Sequence, residues 1–379
     1  MRLRPITAVL SACLAVGLVV IVATGPGNAK PLPSAPPGFF GIGPQTELTS
    51  RDISYMKAGG IESIRLPLLW SSVQPTRNSA YDWSGFDSLV EVAAKGGLSV
   101  LPVITTVPHW VAGKETTMPV NSARQRQAWT KFLAAAAARY GPGGEFWRER
   151  TQPKFVEGVR YEPELARAQP IRTWQIWNES NFFYFAFPVS PTRYAKLVTI
   201  SSQAIKAVQP GAKIMLSGLF GEPTASGARG MPATTFLRRF YRYPGIKSRF
   251  DAVSLHPYAV DTEKLEELVE AFHEVLVENH DQPAFYITEM GWGSQNNFKH
   301  DAFEQGPQGQ ALQLRDAYSY LLANQRRLNL KGVYWFSWKD LRDSCDFCDS
   351  VGFFREGPRF KPKPAWRTFV RLAGGRARP

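Results

Sequence analysis

Cysteine is nearly absent: the chain of 379 residues has three, Cys13, Cys345 and Cys348. A disulfide framework therefore does not carry the fold, and a chain this long buries a sizeable core without one. Histidine is almost as scarce, with five copies, and His273, Glu274 and His280 miss the His-Glu-x-x-His spacing of a zinc helix. There is no Gly-rich phosphate turn at Gly41-Ile42-Gly43-Pro44, which argues against a dinucleotide-binding sheet. Basic residues outnumber acidic ones by 45 to 32, yet no dense basic tract or nucleic-acid module stands out. The arginines are scattered, as Arg124, Arg126, Arg139, Arg148, Arg160, Arg238 and Arg326 illustrate. Such a diffuse charge predicts no nucleic-acid partner; attraction to an acidic polymer is the other reading.

What is present begins at the N-terminus. Arg2 and Arg4 precede an apolar run from Ile6 to Ala23, then Gly25, Pro26 and the small tripeptide Gly27-Asn28-Ala29. This predicts a signal peptide over 1–29, with a membrane anchor as the alternative, and a secreted, extracytoplasmic product. Its removal takes two arginines from the formal charge of +13, leaving +11, and leaves Cys345 and Cys348 as the only cysteines. A zinc site needs a second ligand pair, so a local disulfide stiffening the last loop is expected, with free thiols the alternative. Asp340, Asp343, Asp346 and Asp349 recur every third residue and read as a solvated acidic loop or as calcium ligands. We expect no metal and no cofactor.

After a Pro-rich spacer at 30–37, short apolar runs alternate with amphipathic stretches to the end of the chain, so 38–379 reads as one domain. The strand candidates are 38–42, 63–69, 98–105, 171–177, 213–219, 250–255, 284–287 and 332–336. Helices between them have legible ends, such as Ser190 as N-cap before Pro191. Eight β-then-α units predict a parallel sheet closed into a (β/α)8 TIM barrel. Residues 141–170 read as irregular, and 340–364 as a loop on the active-site face.

Barrels of this kind build their sites from strand C-terminal ends, and polar and aromatic residues gather there. The fourth run closes on Trp177-Asn178-Glu179, the sixth on His256-Pro257-Tyr258, the seventh on Ile287-Thr288-Glu289 and the eighth on Phe336-Ser337-Trp338. Arg65 lies in the second run, and His109-Trp110 follow the third. Glutamates on strands four and seven face each other across a barrel mouth, and paired carboxylates are what glycosidic bond cleavage requires.

These motifs resemble the clan A glycoside hydrolases, closest to the family 39 and family 5 type of bacterial secreted glycosidase. Asn178-Glu179 looks like the acid/base motif of the clan and Ile287-Thr288-Glu289 like its nucleophile motif; Ser180 departs from the pattern, where proline is common. The resemblance implies a glycan-cleaving enzyme with Glu179 as acid/base and Glu289 as nucleophile, acting by double displacement on β-linked glycan as a monomer. It also implies that Asn178 bonds the sugar 2-hydroxyl, that Tyr258 contacts Glu289, that Arg65 sits beside the nucleophile and that Trp338 forms a stacking floor. His256 and His109 are expected to line the pocket. A catalytically silent glycan-binding barrel and a transglycosylase are the alternatives, and an acidic exopolysaccharide is one substrate consistent with the charge.

Overall fold

Eight parallel strands close on themselves in the computed structural model, which describes residues 33–157, 159–296, 302–342, 348–357 and 359–379. The strands are β1 (Phe40–Ile42), β2 (Ser63–Leu69), β3 (Ser99–Thr105), β4 (Thr173–Ile176), β5 (Lys213–Phe220), β6 (Ala252–His256), β7 (Ala284–Met290) and β8 (Leu330–Trp335). Each pairs in parallel with its sequence neighbours, and β1 joins β8 at Phe40 to Val333, Gly41 to Tyr334 and Ile42 to Trp335. That seam depends on Gly41, because a Cβ there would stand 2.5 Å from the Tyr334 ring. The (β/α)8 barrel is therefore as expected, with strand ends coinciding or displaced by up to three residues.

A principal helix follows each strand: Ser50–Ala58, Ser84–Lys95, Ala123–Tyr140, Pro191–Val208, Ala233–Tyr241, Thr262–Glu278, Gly306–Asn324 and Pro364–Leu372. Their starts follow local chemistry. Ser190 accepts from the Arg193 amide before Pro191, and Thr49 and Asp52 form a reciprocal capping box. Apolar faces of these helices, such as Leu265, Val269, Phe272 and Leu276, pack on the outer surface of the strands. Inside the barrel, at the end away from the site, Leu101, Met215, Ala252 and Tyr334 form a separate plug.

Residues 141–170 are more ordered than their composition suggested. They contain a helix at Glu145–Thr151 and an antiparallel hairpin pairing Lys154–Val156 with Val159–Tyr161. The helix is anchored by Phe146 and Trp147, both buried, so a Gly- and charge-rich segment still had two apolar anchors to fold around. No described helix is long and apolar enough to cross a membrane. The proposed signal segment, and Asp343, Cys345 and Asp346, lie outside the described residues; Cys348 is disulfide-bonded.

Candidate active site

At the end of β4 the backbone turns sharply, with Trp177 at φ 73° and Glu179 at φ 37°. Left-handed backbone is costly for side-chain-bearing residues and persists only where the surroundings hold it. Here they do. The Trp177 indole is buried against Trp129 and donates to the Phe185 carbonyl at 2.8 Å. Ser180 shares a hydrogen bond with Ser217 at 2.7 Å, which gives the residue in the usual proline position a partner of its own. Asn181 donates to the Phe220 and Met231 carbonyls and accepts from the Phe220 amide, clamping the loop to the end of β5.

Arg65, on β2, is the hub of the mouth. Its Nε donates to Gln175 at 2.7 Å, Nη1 to Glu289 at 2.6 Å and Nη2 to Asn178 at 2.6 Å. The planar fork thus fixes β4 and β7 to β2 at once, a task the point charge of lysine does not reproduce. Tyr258 donates to the other Glu289 oxygen at 2.9 Å. His256 Nδ1 lies 2.8 Å from Glu179 and 3.6 Å from Glu289, and its Nε2 lies 2.9 Å from Thr288. One oxygen of each carboxylate and a His256 nitrogen all fall within 4.8 Å of one another. Gly218 makes room for this, since a Cβ there would stand 1.9 Å from His256 Nε2.

The two carboxyls share a buried setting and diverge in acidity. Burial pushes Glu179 above the usual carboxylate range, and the adjacent Glu289 charge adds to it, against the opposing pull of His256 and Arg65. Burial also raises Glu289, but His256, Arg65 and the hydrogen bonds from Tyr258 and Arg65 outweigh it and leave this carboxyl below its ordinary value. Tyr258 is driven well above the ordinary phenol value by burial and by the two carboxylates, so it stays a donor. Glu179, His256 and Glu289 are the one group of three among the described residues with metal-ligand atoms this close. The donor set suits a cation poorly: Arg65 already places a fixed positive charge on Glu289, and Tyr258 takes its second oxygen.

Of the residues singled out from sequence, Arg65, Asn178, Glu179, His256, Tyr258 and Glu289 form one connected cluster. His256 needs a correction, because it is fully buried and holds carboxylates from beneath rather than lining the pocket. Trp338 is also corrected. Its indole is fully buried, donates to Asp52 at 2.7 Å and packs edge-on against Trp366, so it cannot serve as a stacking floor. Phe336, two residues earlier, meets Tyr258 edge-on at 6.2 Å and is the aromatic that β8 presents beside the cluster. His109 is exposed in the loop after β3 and is not joined to the cluster. Asp340 pairs with the buried Lys363 ammonium, which argues against a calcium ligand there.

Sequence reading missed Gln175, Thr288 and Ser254, which tie the cluster together inside the barrel: Gln175 donates to Ser254 at 2.8 Å. A glutamine within the apolar run Trp174-Gln175-Ile176 was the available signal, since a fully buried amide must find partners.

The family model described as beta-galactosidase of glycoside hydrolase family 42 matches residues 43–186, which end just past Glu179. No curated protein matches the chain by sequence. Among solved structures, a family 39 glycoside hydrolase from the gut symbiont Bacteroides cellulosilyticus WH2 is 19% identical over 89% of this chain, with a TM-score of 0.61; the match spans 64% of that protein's length. A monomeric beta-xylosidase from Caulobacter crescentus CB15 is 16% identical over 90% of this chain and 69% of its own, with a TM-score of 0.60. An endo-beta-1,4-glucanase from Xanthomonas axonopodis pv. citri is 13% identical over 86% of this chain and 90% of its own, at 0.53. At these identities the structural likeness speaks for the fold. The family match covers the barrel from the end of β1 to just past Glu179, and the solved structures share the (β/α)8 fold.

Proposed function

We propose that this protein is a retaining glycoside hydrolase that cleaves a β-linked glycan outside the cytoplasm. The observation that carries the reading is the pair Glu179 and Glu289, with carboxylate oxygens within 4.8 Å and opposite shifts in acidity. Carboxyls about 5–5.5 Å apart suit direct attack, whereas a water-activating pair stands about 6.5–9.5 Å apart.

Glu289, held ionised by Arg65 and Tyr258, attacks the anomeric carbon. As the glycosidic bond breaks, Glu179 gives its proton to the leaving oxygen, and the glycosyl-enzyme ester forms. Once that ester replaces the Glu289 charge, the repulsion that helped hold a proton on Glu179 is gone, so Glu179 now removes a proton from water, which attacks the same carbon as the ester bond breaks and Glu289 leaves as the carboxylate. In this reading Asn178, which accepts from Arg65, bonds the sugar 2-hydroxyl, and Phe336 supplies the apolar face that Trp338 does not.

The extracytoplasmic location rests on Arg2, Arg4 and the apolar run 6–23, and sequencing the N-terminus of exported protein tests it. For the mechanism, an anomeric NMR time course on an aryl β-glycoside should show the first product retaining the β configuration. In Glu179→Ala, turnover of substrates with activated leaving groups should persist and rise with azide, giving a β-glycosyl azide. Inversion, or no azide adduct, would sink the assignment of Glu179.

A further inference from the structure

Three residues beyond Glu179 the chain runs Phe182-Phe183-Tyr184-Phe185, and Tyr184 is 65% exposed. This exposure is built, because the backbone is held on both sides. The Phe183 amide donates to the Arg229 carbonyl, the Val189 amide to Ala228 and the Phe187 amide to Thr116. The loops after β3, β4 and β5 therefore meet here.

The rings are continuous with the catalytic pair. Tyr258, bonded to Glu289, lies 5.9 Å from Phe220; Phe220 stacks on Phe182 at 5.3 Å, and Phe182 meets Tyr184 at 5.0 Å. Phe183 stacks on Tyr184 at 4.2 Å. Two cations edge the surface: the Arg229 guanidinium sits 3.8 Å over Phe183, and the Lys114 ammonium 5.5 Å over Phe187. Neither has an acidic partner among the described residues.

Two physical facts orient the surface. Glu179 delivers its proton to the leaving oxygen, so sugar units released in the first step lie on the side of the loop that carries Glu179. Sugar rings present C–H faces that pack on exposed aromatics, while a cation held beside such a ring favours an anionic substituent. We infer that Phe182, Phe183, Tyr184 and Arg229, with Lys114 at the edge, form a leaving-group-side subsite for a glycan chain bearing acidic sugars. The inference rests on the glycosidase reading, and it makes the natural substrate a polymer or long oligosaccharide with units beyond the scissile bond.

The test uses the full-length Glu289→Gln protein, which should bind without turnover, in affinity electrophoresis through alginate, polygalacturonate, glucuronoxylan, or neutral arabinoxylan and β-glucan. An acidic polymer should retard it more than any neutral one, and Tyr184→Ala or Arg229→Gln should each weaken retardation about fivefold to tenfold. Retardation by none of the acidic polymers, stronger retardation by a neutral one, or indifference to both substitutions would overturn the subsite. So would a wild-type dimer in sedimentation that Tyr184→Ala converts to monomer, since the rings would then be a contact between copies. Both substitutions should leave the melting temperature of the otherwise wild-type protein unchanged; a fall of several degrees would place these residues in the fold and overturn the proposal. If the wild-type enzyme cleaves no β-glycoside of any kind, the glycosidase reading itself fails, whatever the polymers do.

Discussion

The buried ionic cluster at the barrel mouth and the one beneath the end of β8 are balanced differently. Under β8, Asp52 is fully buried and accepts from Thr49 N at 2.8 Å and Trp338 Nε1 at 2.7 Å, with Lys339 Nζ at 2.6 Å. One acid meets one base and the remaining lone pairs are used. At the mouth, two carboxyls share one strong cation, Arg65. Burial first, and the neighbouring Glu289 charge after it, hold Glu179 above its ordinary value. A balanced cluster holds one acid ionised against one base; two buried carboxyls on one cation are pushed to different acidities.

The largest expected effect breaks the mouth and spares the fold. Glu289→Gln should lower kcat by on the order of 10⁴-fold or more. Its melting temperature should change little, because the amide oxygen still accepts from Arg65 and Glu179 becomes the counter-charge. Steady-state kinetics and calorimetry on the same preparation separate the two; activity within tenfold of wild type would overturn the role of Glu289.

Asp52→Asn should do the reverse, costing about 2–4 kcal/mol of stability by leaving the Lys339 ammonium without its counter-charge. Burial pushes the Asp52 carboxyl up, but the bonds from Lys339, Thr49 and Trp338 hold it below its ordinary value. Its stabilisation is therefore complete above the unfolded aspartate value and is lost as pH falls through the lower folded one. Denaturant unfolding from neutral to acid pH should show the wild-type advantage over Asp52→Asn shrinking only on the acid side.

A smaller effect sharpens the comparison. The rate profile should be bell-shaped, the acid limb reporting Glu289, below the ordinary glutamate value, and the basic limb Glu179, above it. Arg65→Lys keeps a charge but loses the three-way fork, so kcat/KM should fall about tenfold to a hundredfold and the acid limb should move to higher pH. An acid limb that stays in place would show that the guanidinium fork does not set the ionisation of Glu289. Smallest of all, Trp338→Phe should cost about 1 kcal/mol of stability through the lost bond to Asp52 and leave KM unchanged. A raised KM would return Trp338 to the substrate.

Much of this was legible before the fold. The order of eight apolar runs, the Ser190-Pro191 helix start, and the Asn178-Glu179 and Glu289 motifs are local features, set by periodicity, capping and residue type. Residues 141–170 were less legible, because the anchoring of Phe146 and Trp147 depends on where the neighbouring helix lies. Trp338 and Phe336 were harder still. They are two residues apart near the end of β8, and only the packed position of Trp366 and Asp52 shows that the indole belongs to the core.

By itself, then, the sequence determined the repeating β-then-α pattern, hence a barrel, and put one glutamate at each of two strand ends. Tertiary structure decided what those glutamates are. It brought them within 4.8 Å, buried both, and gave Arg65 and Tyr258 to Glu289 while leaving Glu179 mainly His256. The residues in these contacts lie 31 to 224 positions apart in the chain. Acidity depends on which charges and donors end up within a few ångströms, and no spacing along the chain encodes that.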